Sequence, residues 1–504
     1  MSRNLFDRLF ASGLDLARVA IRHPDGSVSA YGDLAARSGQ LANALVGLGV
    51  TAGDRVAVQV EKSAEALTLY LACLRAGAIY LPLNTGYTLT ELSYFIGDAE
   101  PALVVCDPAR EAGVQEIAKQ LATGVRTATL DSHGKGSLSA AADAQPAGFA
   151  TVARGDDDLA AILYTSGTTG RSKGAMLSHD NLASNSLTLR DYWRFTADDA
   201  LIHALPIYHT HGLFVATNVT FFAGGSLILM PKFDADAVIA AMPQATAMMG
   251  VPTFYTRLLQ HPGLTRELTA NMRLFVSGSA PLLAETHNEW RARTGHAILE
   301  RYGMTETNMN TSNPYEGPRI AGTVGLPLPG VALRVVDPEN GVQLANGDIG
   351  MIEVKGPNVF RGYWRMPEKT AAEFRPDGFF ITGDLGRIDT NGYVQIVGRG
   401  KDLIISGGFN VYPKEVESEI DALEGVIESA VIGAPHPDFG EGVTAVVVAS
   451  DKSLDEARVL KALDGRLAKF KLPKRVLFAD ELPRNSMGKV QKNLLRDAHK
   501  NLYV

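Results

Sequence analysis

The chain has 504 residues, 46% hydrophobic and 20% charged, more than one hydrophobic core usually organises, so at least two domains are expected. Its formal net charge of -7, without a run of Lys or Arg, argues against a nucleic-acid binder. The only cysteines, Cys73 and Cys106, stand in apolar strings and read as free buried thiols; two cysteines make no disulfide framework, which fits a reducing cytoplasm. The N-terminal residues lack a signal-peptide apolar region and no apolar run reaches the length of a membrane span, so a cytoplasmic protein that does not enter the membrane is expected.

In chain order, residues 55–60 read as a strand, Ser63 to Arg75 as a helix, and 79–83 and 102–106 as further strands. Strands alternating with helical segments point to parallel α/β sheets. Residues 131–156, rich in Ala, Gly and Ser, read as a surface connection before a strand from Leu159 to Tyr164. The rhythm continues through strands at 225–230 and 273–276, and from about 320 gives way to β-rich sequence with Gly and Asp turns, including 331–336. After Gly398-Arg399-Gly400-Lys401-Asp402 a separate unit follows: a polar helix from Pro413 to Asp421, strands at 429–433 and 443–449, a helix at 454–467 and a lysine-rich tail. The expected fold is α/β: a large N-terminal domain (1–400) of parallel α/β subdomains and a β-rich subdomain, then a small mobile α+β lid (401–504).

The sharpest local signal is Tyr164-Thr165-Ser166-Gly167-Thr168-Thr169-Gly170-Arg171-Ser172-Lys173-Gly174. Its glycines let backbone approach a phosphate closely, its Ser and Thr hydroxyls and amides donate to phosphate oxygens, and Lys173 adds a cation. It is not a Walker loop, because the Gly-x4-Gly-Lys-Ser/Thr spacing is absent. His203-Ala204-Leu205-Pro206 with His209-Thr210-His211-Gly212 comes next, then Val276-Ser277-Gly278-Ser279-Ala280 and Tyr302-Gly303-Met304-Thr305-Glu306. Thr382-Gly383-Asp384, the 398–402 string and Asn485-Ser486-Met487-Gly488-Lys489 complete the series.

In these motifs and their order, essentially the whole chain resembles the adenylate-forming enzymes: acyl-CoA synthetases, firefly luciferase and the adenylation domains of peptide synthetases. Ser172 departs from the family, which usually has proline before the lysine; an altered loop stiffness is expected rather than altered chemistry. The resemblance implies an ATP-dependent acyl-CoA synthetase using Mg2+, with ATP and coenzyme A as co-substrates. A carboxylate attacks the α-phosphate, pyrophosphate leaves, and the acyl group passes to CoA. The carboxylate is already a nucleophile, so the site must join two anions and stabilise developing phosphate charge.

Residue by residue, the resemblance makes Lys489 the cation bridging carboxylate and α-phosphate, with Thr305 at the α-phosphate and His211 beside the acyl group. The nucleotide falls to Thr165, Ser166, Gly167, Thr168, Thr169, Gly170 and Lys173, to Gly278, Ser279 and Ala280, and to Glu300, Tyr302, Gly303 and Met304. Asp384 would accept the ribose hydroxyls and Arg399 would steady the nucleotide. Mg2+ falls to Glu306 and Thr168. Gly407, Gly408 and Phe409 would shape the CoA channel after the lid turns at Lys401 or Asp402. Acylation of Lys489 by a modifying enzyme is a family-typical regulation. His209 and His211 are spaced like metal ligands on a strand, but no Cys is near in sequence to complete a zinc site.

Arg301 singles out the acid. Relatives that take fatty or aromatic acids usually carry a small or apolar residue there, and a buried guanidinium needs an anion. Either Glu300 supplies it or the substrate brings a second carboxylate, held by Arg301, Ser277 and, a turn beyond Pro252, Arg257. The 299–306 string resembles that of malonyl-CoA synthetases, so malonate or methylmalonate is the expected substrate. The other readings are a CoA ligase for another short-chain or aromatic acid, and a carrier-protein-loading adenylation enzyme, although no carrier domain follows. A silent nucleotide-binding regulator would lose Lys489 or Glu306, and both are present.

Overall fold

The structure is a computed structural model describing residues 3–121, 124–165, 172–407, 409–485 and 488–503. It packs into two compact units, one of Met1–Gly322, Pro327–Ala332 and Lys355–Arg375, the other of Thr323–Leu326, Leu333–Val354 and Pro376–Val504. Packing therefore groups the strands between 333 and 400 with the C-terminal residues, whereas sequence texture places a boundary near 400.

The first unit holds two large sheets. In one, the spatial order is Arg126–Thr129, Leu103–Cys106, Arg55–Gln59, Ile79–Pro82, Leu159–Thr165 and Lys173–Ser178. Every pair is parallel except the last, an antiparallel pair in which Thr165 faces Lys173 across the Gly-rich segment. The helix Ala64–Arg75 starts where the Ser63 hydroxyl accepts from the Ala66 amide, and it is buried along nearly its whole length. Residues 131–156 are not wholly a connection. Ser137–Asp143 is helical, burying Leu138 and Ala142; its Ala-Ser composition carries too little amphipathic contrast to show in sequence. Cys73 and Cys106 are buried and free, as expected.

In the other sheet, Ser226–Leu229, Ala200–His203, Ala247–Gly250, Leu274–Ser277 and Leu299–Met304 lie side by side and parallel. Register places His203 beside Met249, Gly250 beside Ser277, and Ser277 beside Glu300. Four motif segments thus emerge from neighbouring carboxyl ends of strands, where open α/β sheets bind ligands. Below, Tyr255 and Phe275 pack edge-on against Trp290 at ring separations of 5.0 and 4.9 Å, anchoring the strand ends in a rigid core.

In the second unit, Ala332–Val336, Gly350–Lys355, Phe380–Ile388 and Val394–Arg399 form one sheet. Ile404–Ser406, Phe409–Val411, Val426–His436, Gly440–Ala449 and Arg475–Phe478 form another, packed against the helices Pro413–Asp421 and Glu456–Leu463. Among the described residues no helix is long and apolar enough to cross a membrane.

Candidate functional site

Of the Gly-rich segment, Thr165 and Lys173 are described; Ser166, Gly167, Thr168, Thr169 and Gly170 lie outside the described residues. Lys173 opens its strand with Nζ 3.4 Å from Glu373 Oε1 and 4.1 Å from the centre of the Tyr363 ring. The Tyr363 hydroxyl lies 3.0 Å from Glu306 Oε1 and 2.7 Å from Glu373 Oε2. Glu306 is buried in the turn between Leu299–Met304 and Asn308–Ser312, just after Thr305, and its carbonyl accepts from the Phe360 amide at 2.7 Å. One phenolic proton serves one carboxylate at a time, and Glu373 has in addition the Lys369 and Lys173 ammonium groups 2.7 and 3.4 Å from its Oε1. The Glu306 carboxylate is of the kind a hard divalent cation takes, in a shell that phosphate oxygens and water would complete. Among the described residues no group of three or more His, Cys, Asp or Glu could hold a metal by itself, so the His209–His211 spacing makes no zinc centre there.

His209 and His211 are not on a strand. They follow the end of Ala200–His203, and His211 opens a π-helical segment, His211–Thr217. Gly212 permits the turn: a Cβ there would lie 2.0 Å from the Pro206 carbonyl oxygen. Behind it Lys62, fully buried, donates to His203 Nδ1 at 2.7 Å and to the carbonyls of His203 and Leu205 at 2.6 and 2.9 Å. His203 Nε2 in turn lies 2.9 Å from the Gly212 carbonyl, tying the segment to the sheet. Burial, and Arg301 after it, hold His211 well below the usual histidine range, so its imidazole is neutral. Its Nδ1 lies 3.2 Å from the hydroxyl of Ser279, a non-glycine residue held in left-handed backbone at φ 71°.

Arg301 stands at the centre of this corner. Its residue is 4% exposed, and its Nε and Nη2 have no hydrogen-bond partner among the described residues. No carboxylate there lies within ion-pair distance of it. Glu300 does not pair with it; that carboxylate lies 3.7 Å from His287 Nδ1. Burial pushes the guanidinium down to about 9, still charged at neutral pH. Ser277 Oγ, His211 Nε2 and Thr210 Oγ1 are likewise buried without a partner. Each such group left unpaired costs on the order of 1–3 kcal/mol, more for a charge, a cost that an anion with acceptor oxygens would relieve. The guanidinium lies flat on Gly278: a Cβ there would stand 2.4 Å from its Cζ and Nη1. Arg257, by contrast, is exposed on the helix Pro252–Leu259. Tyr302, Gly303, Met304 and Ala280 are partly buried around the same strand ends.

In the second unit, Asp384 and Arg399 face each other across neighbouring strands, with Asp384 Oδ1 2.8 Å from Arg399 Nε. Asp384 is 3% exposed and its amide donates to Thr382 Oγ1 at 3.1 Å. Lys489 lies in the field of both residues. Burial, then Arg399, push its ammonium down to about 8, while Asp384 acts the other way. Lys401 and Asp402 occupy a single turn of 3-10 helix, Gly400–Asp402, and Asp402 is ion-paired at 2.8 Å to Arg496 of the helix Lys492–Ala498. Gly407 takes φ 60°, Phe409 is exposed, and Gly408 lies outside the described residues.

Sequence reading missed Tyr363, Glu373 and Lys62 as supporting residues, and named His203 only as part of its motif. Tyr363 stands in an aromatic string, Gly362-Tyr363-Trp364, and Lys62 in a short polar linker; neither carries a local mark of its distant partner.

Residues 15–364 match the model of the AMP-binding enzyme family, and residues 415–489 that of the AMP-binding enzyme C-terminal domain. Over its full length the chain is 68% identical to ATP-bound MatB from Rhodopseudomonas palustris, covering all of that chain with a TM-score of 0.98. It is 33% identical to the malonate–CoA ligase of Arabidopsis thaliana over 96% of this chain and 86% of that protein. It is 37% identical to a feruloyl-CoA synthase of an Amycolatopsis species over 95% of each.

Proposed function

The chain belongs to the AMP-binding enzyme family, and from that premise we propose that it ligates malonate to coenzyme A, using ATP, through a malonyl-adenylate. The observation that carries the choice of acid is the buried Arg301 guanidinium without an internal anion. A dicarboxylate supplies that anion through two parallel charge-assisted hydrogen bonds, whereas acetate, a fatty acid or ferulate leaves it bare. Ser277 would take a further oxygen of the same carboxylate; Arg257, being exposed, would act from the edge of the site.

The reacting carboxylate attacks the α-phosphate with its own lone pair. Thr305 would hold the α-phosphate, Thr165, Lys173 and the loop residues Ser166 to Gly170 the outer phosphates, and Asp384 the ribose hydroxyls, with Arg399 steadying them. Lys489 would bridge the two anions as charge builds on phosphate. Glu306, with Thr168, would hold Mg2+, which when bound neutralises phosphate charge. The neutral His211 would leave the thiol's approach free of a competing cation. In the lid, taken as 401–504, Asp402 is tied to Arg496, so we place the pivot at Lys401, with Gly407, Gly408 and Phe409 lining the CoA path.

AMP release should be measured across malonate, methylmalonate, acetate, hexanoate and coumarate, with and without CoA. The expected result is strong CoA-dependent turnover with malonate or methylmalonate and little with the monocarboxylates. Turnover favouring coumarate or hexanoate would contradict the assignment.

Gly278→Ala is expected to push the guanidinium off its seat and raise the KM for malonate roughly tenfold, since overpacking a closed site costs on the order of 1–3 kcal/mol. In an Arg301→Ala background the same change should add little. An equal rise in both backgrounds, or a rise confined to the KM for ATP, would make Gly278 a nucleotide contact alone.

A pH dependence follows from Lys489, whose buried ammonium is held down at about 8. Adenylation needs the protonated form. The kcat/KM for ATP should therefore hold steady below pH 8 and fall as pH rises through it, well before an ordinary lysine titrates. A profile flat to pH 10 would contradict this role.

A further inference from the structure

We infer that Glu373 is a stand-in for the nucleotide's phosphates: it holds Lys173 when the site is empty of polyphosphate and yields it when polyphosphate arrives. This rests on the reading of the Gly-rich segment as the phosphate loop of an ATP-using enzyme. Lys173 Nζ faces Glu373 Oε1 at 3.4 Å, with the two side chains 21% and 19% exposed. The same carboxylate is already held more closely by others. Lys369 Nζ lies 2.7 Å from Oε1, and the Tyr363 hydroxyl lies 2.7 Å from Oε2.

That inequality gives the pair its character. When Lys173 leaves, Glu373 keeps a cation and a hydroxyl, so no bare carboxylate remains half-buried. When Lys173 stays, its charge is partly neutralised and its ammonium rests over the Tyr363 ring, so it does not stand as an uncompensated cation at the start of its strand. Exchange between carboxylate and phosphate is then inexpensive in both directions. An anion that competes for Lys173 weakens the hold on pyrophosphate as well as on ATP, which favours release of the first product. The Tyr363 hydroxyl also reaches Glu306 at 3.0 Å, so the loop cation and the proposed metal carboxylate share one neighbouring side chain.

Calorimetric binding of pyrophosphate to the full-length protein tests this without any turnover. Glu373→Gln keeps the hydrogen bond to Tyr363 and removes the competing charge; pyrophosphate should bind about fivefold more tightly, the scale of a partly exposed ion pair. Lys369→Ala should act in the opposite direction, because it leaves Lys173 as the main cation of Glu373, and pyrophosphate should bind more weakly. Both shifts should vanish in a Lys173→Ala background, and neither variant should change the KM for malonate. A merely structural Glu373 would instead weaken pyrophosphate binding in both variants or change it regardless of Lys173, and either outcome overturns the inference. Pyrophosphate binding that ignores both substitutions overturns it as well. Failure of the unaltered protein to bind pyrophosphate would overturn the phosphate-loop reading and this inference together.

Discussion

Replacing Lys489 with alanine is expected to lower malonyl-adenylate formation by roughly a hundred- to a thousandfold while largely sparing thioester formation from supplied malonyl-adenylate. The size follows from removing a preorganised charge aimed at the phosphate oxygens where negative charge develops. Its selectivity follows from the site of attack: the thiol attacks the acyl carbon, so charge builds first on the carbonyl oxygen and then on the departing AMP oxygen, and phosphorus never becomes five-coordinate. The surroundings of Lys489 are suited to that task. A lysine buried beside Arg399, with Asp384 as counterweight, has its ammonium destabilised until an anion arrives. Binding ATP should therefore stabilise the ammonium as well as place it. Pyrophosphate release and CoA-dependent consumption of malonyl-adenylate, measured separately on the folded variant, check the division. Equal loss in both halves would reject it.

Arg301→Ala carries the second large effect. Losing a bidentate contact while leaving the distal carboxylate buried should cost roughly 3–5 kcal/mol, hence about a hundredfold or more in kcat/KM for malonate. Acetate or butyrate use should stay flat or improve, since the variant no longer buries an unanswered cation. Arg301→Lys should recover little, because a point charge lacks the paired geometry. Arg257→Ala should cost much less, in keeping with its exposure. A common loss factor for malonate and monocarboxylates would make Arg301 a structural residue and remove the chief physical support for a dicarboxylate.

Much of this was legible in the sequence where the signal is local. The helix Pro413–Asp421 begins at its proline, as an N-terminal helical position favours, and ends where the sequence places it. The strands 55–60, 79–83 and 102–106 were readable as continuous apolar runs because parallel strands are buried on both faces. Arg301 was conspicuous because a permanent charge stood where an apolar residue is usual. What stayed hidden depends on contacts across long separations. Nothing in Gly278 alone says that a guanidinium lies on it, and Tyr363 meets Glu306 across 57 positions. His211 looked like a strand residue because alternation with His209 matches a strand's period; the tight turn at Gly212 and the buried Lys62–His203 contact favour a π-helical start instead.

The central claim is that malonate itself attacks the α-phosphate of ATP before its acyl group reaches the thiol. Malonate labelled with heavy oxygen in its carboxylates, turned over with ATP and CoA, tests it directly by mass spectrometry of the AMP. The attacking oxygen stays on phosphorus when the thiol displaces AMP, so each AMP formed should carry a single heavy oxygen, in step with malonyl-CoA. Unlabelled AMP, or ADP and phosphate as the nucleotide products, would contradict the account.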